Sequence, residues 1–156
     1  MSLFNKLLNR PPRAPGRGDN VTFGIGSTPD ARAELVRQQV AMVRPGEYVV
    51  FSDRDRVHDY VQFARHADGS LLMEVASGAY HPGGKRLGDD SRAIHTLAQL
   101  GLTAAANENF SAPRVEESPD VLAVWTEQVF IHLFGADEQF TLEALGDPTR
   151  RDRQSA

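Results

Sequence analysis

Cysteine is absent from the 156 residues, which excludes disulfides, thiol nucleophiles and cysteine-ligated zinc. No apolar run approaches the ~20 residues that a membrane-spanning helix needs. Met1–Arg10 offers only Leu3, Phe4, Leu7 and Leu8, short of the unbroken apolar core of a secretory signal. Positive charge is also short, with 17 Lys and Arg against 21 Asp and Glu, a net −4. The deficit is uneven. Residues 1–19 carry Lys6, Arg10, Arg13 and Arg17 against Asp19, giving +3, and residues 146–156 carry +1, so −8 falls on residues 20–145. An acidic body repels phosphate, so nucleic-acid binding is not expected except through the basic ends. The remaining composition is that of a globular, soluble and cytoplasmic protein, long enough for one domain with a real core.

Catalytic and metal-binding patterns are missing too. His58, His66, His81, His95 and His132 show no i, i+4 ligand spacing. His132 falls in an apolar helical segment and reads as a hydrogen-bonded core histidine. Asp53, Asp55 and Asp59 imitate a calcium loop, but its glycine and distal glutamate are missing and Arg54 and Arg56 intervene. A hairpin turn with solvated charges is the expectation. Gly24-Ile25-Gly26-Ser27 and His81-Pro82-Gly83-Gly84 match no phosphate loop and read as turns. Ser77 and Ser91 lack a nucleophile elbow. Neither an enzyme nor a cofactor or metal is expected.

What is present is a pattern of elements. Residues 1–19 form a basic, Pro- and Gly-rich arm. Leu3, Phe4, Leu7 and Leu8 would share one face of a short helix, either a weak membrane-surface or partner-docking peptide, or a frayed or folded-back end. Residues 20–145 read as a single α+β domain, and 146–156 as a disordered tail. Thr28-Pro29 starts a helix with a Leu35, Val36, Val40 and Val43 stripe and with Arg32, Arg37 and Gln38 off it. Pro45-Gly46 ends it. Strands follow at about 47–52, 57–65 and 70–77, the last two joined at Asp68-Gly69. Three sequential strands with short links favour an antiparallel meander. Asp89 or Asp90 caps a second helix, closed by Gly101 with Leu102 behind it. Asn109–Val115 suits an edge strand, and Pro119-Asp120 opens a third helix. The fold class is therefore α+β, an antiparallel sheet of three to five strands flanked by about three helices, in the order α-β-β-β-α-(β)-α.

Two surfaces stand out. Alternation puts Leu71, Met73 and Val75 towards the helices, and Leu72, Glu74 and Ala76 on an outer face with Tyr60 and Gln62. That half-polar face suits a binding surface, unless a tail covers it. The third helix is apolar round most of its circumference and must be buried on more than one side. Trp125, Val129 and Phe130 are candidates for a homodimer seam. The alternative is that Phe4–Leu8 or residues 137–145 cover that helix.

The motifs Tyr60-Val61-Gln62-Phe63-Ala64, Leu72–Tyr80, Leu97–Leu102, Glu108-Asn109-Phe110 and Val129–Gly135 follow one another in an order that resembles the YbjN and TY-Chap group. These are bacterial relatives of type III secretion chaperones, and the likeness covers about residues 28–145. It implies a non-enzymatic module, often dimeric, that binds segments of a client protein. Tyr60, Gln62, Leu72 and Glu74 would then contact the client peptide, on the outer face or along a sheet edge. A second reading is a regulatory or structural domain docked into a larger complex through the 1–19 arm.

Overall fold

The computed structural model describes residues 20–150; the expectations for the 1–19 arm and for residues 151–156 lie outside the described residues. The chain runs β1 (Val21–Gly26), α1 (Pro29–Met42), β2 (Tyr48–Asp53), β3 (Arg56–Arg65) and β4 (Leu71–Val75). A 3₁₀ turn at Leu87–Asp89 then leads into α2 (Ser91–Gln99), β5 (Phe110–Val115), α3 (Pro119–Gln128) and β6 (Leu142–Gly146).

Helix starts are set by local chemistry. The Thr28 hydroxyl accepts from the Ala31 N–H at 3.2 Å, and the Asp90 carboxylate accepts from the N–H groups of Arg92 and Ala93 at 3.0 and 3.2 Å. Ser118 caps α3 in the same way. Each satisfies donors that the first helical turn leaves open. Gly101, at φ +81°, ends α2, and the Leu102 N–H donates to the Leu97 carbonyl at 2.9 Å while the Leu102 side chain is fully buried.

The sheet is antiparallel throughout, in the order β1-β6-β2-β3-β4-β5. Class and meander agree with the sequence reading, but the sheet has six strands because two segments read otherwise supply one each. The Gly24–Ser27 turn is the end of β1, whose glycines permit close packing. A Cβ on Gly24 would lie 2.7 Å from Leu35 Cδ1, and one on Gly26 2.8 Å from the backbone of Ala31 and Arg32. The segment 137–145, read as potential cover for the third helix, instead supplies most of β6, which lies between β1 and β2.

α1 packs on one face of the sheet, against β1, β6 and β2, and alongside α3. Leu35, Val36 and Val40 meet Val49, Phe51, Val61, Phe63, Met73 and Val75 in one core. Arg32, placed off that stripe by its charge, is buried as well. Its guanidinium reaches Glu127 and the carbonyls of Glu138 and Phe140.

Past the end of β6 the chain makes one further contact with α1. Arg150 is 1 % exposed, its Nη2 donates to the Gln39 carbonyl and to Gln39 Oε1 at 3.0 Å each, and its guanidinium lies 4.6 Å from the Phe23 ring centre. Burial lowers its pKa to about 10. The polar composition of the tail conceals this anchor, because one arginine with an aliphatic stem can hold a chain end in place.

Candidate functional site

Strand pairing sets Val50 beside Gln62 and Gln62 beside Glu74, with Ala64 beside Leu72. Side chains alternate along a strand, so Tyr48, Val50, Tyr60, Gln62, Leu72 and Glu74 share the face turned away from α1. The four residues chosen from the sequence are therefore neighbours. They are also closed off. Tyr60 is 2 %, Gln62 4 %, Leu72 0 % and Glu74 1 % exposed, on the half-polar face that was expected to be either a binding surface or covered by a tail.

The polar part of this face is organised by Asn109, whose role the sequence reading missed. Its Nδ2 donates to the Tyr60 hydroxyl at 3.0 Å and to Glu74 Oε1 at 2.8 Å, and its Oδ1 accepts from the Ser77 N–H at 3.1 Å. Burial holds the Tyr60 phenol well above its ordinary pKa. The available signal was register, since Asn109 precedes β5 by one residue and lies two before Ser111, the partner of Glu74.

α1 lies on the opposite side of the sheet and α3 packs on α1, while Leu100, just after α2, borders one groove with Ala112 and Trp125. The loop after β4 reaches only one end of β3. There His81 stacks on His58 with ring centres 4.6 Å apart, and the Lys85 N–H donates to Asp59 Oδ1 at 2.7 Å. A second cavity of about 390 Å³ opens between α2 and residues 103–108, lined by Ala79, Ile94, Ala98, Leu102, Ala105 and Phe110.

Other sequence-selected residues fall elsewhere. Val129 and Phe130 are sealed inside the protomer at 1 and 0 % exposure, because Phe130 packs on Phe134 and Phe140. Of the three seam candidates only Trp125 reaches the surface, next to Val124 at 55 % exposure. His132 is exposed rather than in the core. The helix passes into a single π turn at Val129–Leu133, which rotates the residues after it relative to a straight α-helix. Asp53 and Asp59, expected to be solvated, are 4 and 2 % exposed. Arg56 lies over them, 3.0 Å from Asp59, and burial raises the Asp59 pKa despite that cation.

Among the described residues no His, Asp and Glu side chains gather as a metal site, and no helix is long and apolar enough to cross a membrane. No curated protein and no solved structure matches the chain. A family model does, from residue 31 to residue 146, described as T3SS (YopN, CesT) and YbjN peptide-binding chaperone 3. That span runs from α1 to the end of β6, so the chain belongs to this TY-Chap family of peptide-binding chaperones.

Proposed function

We propose that the protein is a non-enzymatic binding module, working in the cytoplasm, that holds an extended segment of a client protein on the outer face of its sheet as a homodimer. The observation that carries this reading is the convergence of Tyr60, Gln62, Leu72 and Glu74 on one face of a chain that belongs to a peptide-binding family. The face mixes apolar area with a fixed acid and amide, a combination that suits an amphipathic peptide. Because these side chains are closed off, a client gains access only when the face opens. The dimer seam runs over the outward side of α3, around Val124 and Trp125. The test is hydrogen exchange across β3 and β4, with and without client peptides recovered from the native host. Protection of β3 and β4 supports the reading. Protection confined to α2 and residues 103–108 moves the site to the second cavity, and unchanged exchange across the whole peptide set overturns it.

A further inference from the structure

We propose that the cavity between α2 and residues 103–108 is an anchor site for the client, taking apolar side chains that lysine or arginine flanks. Such a site rests on the client-binding function proposed above and adds a second contact to the sheet face. The cavity holds about 390 Å³, within the range of pockets that enclose a ligand. Its lining is apolar and open to solvent. Ile94 is 41 % exposed, and Ala98, Ala104, Ala105 and Ala106 leave space that larger side chains would fill. The walls are fixed before any ligand arrives. Thr103 and Ser111 exchange backbone hydrogen bonds at 3.1 and 2.8 Å, and the Glu108 N–H donates to the Ala105 carbonyl at 3.1 Å. Asn107 makes that turn at φ +61°, a conformation asparagine adopts more readily than most residues. On the other wall, Asp90 caps α2. A preformed pocket spares the ordering cost that a collapsed loop would impose on binding.

Ser77 joins this cavity to the sheet face. It lines the cavity, and its N–H donates to Asn109 Oδ1, while Asn109 Nδ2 donates to Tyr60 and Glu74 on the face. Glu74 and Ser77 are separated by ~10 Å of extended chain, so one client segment can reach both. The rim sets the chemistry of the occupant. Among the described residues, Asp89 and Glu108 line it together with one cation, Arg86, and Arg86 already meets Asp89 at 3.0 Å. With −8 on residues 20–145, the surroundings favour a basic partner, and the alanine-rich lining favours an apolar one. A peptide that combines the two fits both, and an acidic one is repelled.

The probe is a short blocked peptide alternating leucine with lysine, titrated into the isotope-labelled full chain and followed by amide resonances. Those of Ile94, Ala98 and residues 103–108 are expected to move. Ala98→Phe fills the cavity from an exposed helical position, so it is expected to leave the fold intact and to weaken binding about tenfold. Ala105→Leu, from the opposite wall, should do the same. Glutamate in place of lysine in the peptide is expected to weaken binding several-fold, most clearly at low salt. Unmoved cavity resonances, or equal affinity of the parent and both filled variants, would overturn the site. Equal affinity for the two peptides would overturn the basic occupant. The sheet face and the cavity fail separately: movement in β3 and β4 with a silent cavity keeps the face and removes the anchor, whereas movement confined to the cavity does the reverse.

Discussion

Arg32 and Glu127 meet as a two-pronged ion pair, with Nη2 2.5 Å from Oε1 and Nε 2.9 Å from Oε2. The two sides are unequal: the Arg32 side chain is 1 % exposed and that of Glu127 29 %. Arg32 also donates to the carbonyls of Phe140 and Glu138 and lies 4.2 Å from the Phe140 ring centre. One guanidinium therefore ties α1 to α3 and to the approach to β6.

The asymmetry sets a direction. Removing the acid strands a buried cation, whereas removing the arginine leaves a glutamate that can turn to water. Glu127→Ala is expected to cost about 3 kcal/mol, and Arg32→Met less than that, in urea unfolding at neutral pH. Equal losses in the two variants would show that the pair is no more than a surface contact.

Asn109 makes the second prediction. It supplies hydrogen bonds to Tyr60, Glu74 and the Ser77 backbone at once, and each buried group left without a partner costs about 1–3 kcal/mol. Asn109→Leu is expected to lower stability by roughly 3 kcal/mol. Asn109→Asp should be worse, since it turns a donor into an anion facing the Glu74 carboxylate. Tyr60→Phe should cost only about 1 kcal/mol, because Asn109 keeps Glu74. Thermal denaturation of the three variants gives the order, and a harmless Asn109→Asp would refute the network.

These side chains mark where sequence reading succeeds. Thr28, Asp90 and Gly101 act on backbone groups within a few residues of themselves, so their effects can be read from the chain alone. Strand alternation likewise sorted Leu72 and Glu74 from Met73 and Val75. β6 was not readable, because Leu142–Gly146 has good helix formers in Leu, Glu and Ala and becomes a strand through its neighbours β1 and β2. β1 was concealed by glycines whose purpose, the approach of α1, exists only in the folded chain. Arg32 was placed off the apolar stripe and Arg150 in the tail, and their partners lie 95 and 111 residues away in sequence. What covers a sheet face is likewise invisible to periodicity, which reports one strand at a time.

The pair His58 and His81 gives a pH dependence. Burial, and then the neighbouring His58, hold the His81 pKa below 6.5. The unfolded chain therefore takes up a proton near the ordinary value that the folded chain accepts only at lower pH. Stability is expected to be level above about pH 6.5, to fall as pH drops through the window down to the lowered pKa, and then to flatten. His81→Gln should remove much of that slope. Urea midpoints between about pH 7.5 and about pH 5 test it, and an unaltered slope in the variant would place the titration elsewhere.

Gly26 offers a packing test. A Cβ there meets the Ala31 and Arg32 backbone at 2.8 Å, atoms that cannot move without shifting the start of α1. Gly26→Ala is expected to destabilise by about 1–3 kcal/mol, the usual cost of an overpacked core. Gly24→Ala should cost less, since its nearest contact is the end of the Leu35 side chain, which can rotate. The reverse order in thermal denaturation would mean that β1 and α1 slide past each other more freely than their packing suggests.

The proposed dimer can be separated from folding by the same logic. Val124 is 55 % exposed, so Val124→Arg touches no core and should change monomer stability by less than about 0.5 kcal/mol. A charge placed on both sides of a twofold seam faces its own copy, so the variant is expected to sediment as a single chain where the parent sediments as two. Trp125, the one tryptophan in the chain, reports the event directly, because its emission should shift to the red when the seam opens and water reaches the indole. Val129→Ala makes the contrast: Val129 is 1 % exposed, so the variant should lose roughly 1–3 kcal/mol of folding stability without altering the mass. A parent that is already monomeric, with the Trp125 emission independent of concentration, would remove the seam from the proposal and leave the peptide-binding face untouched.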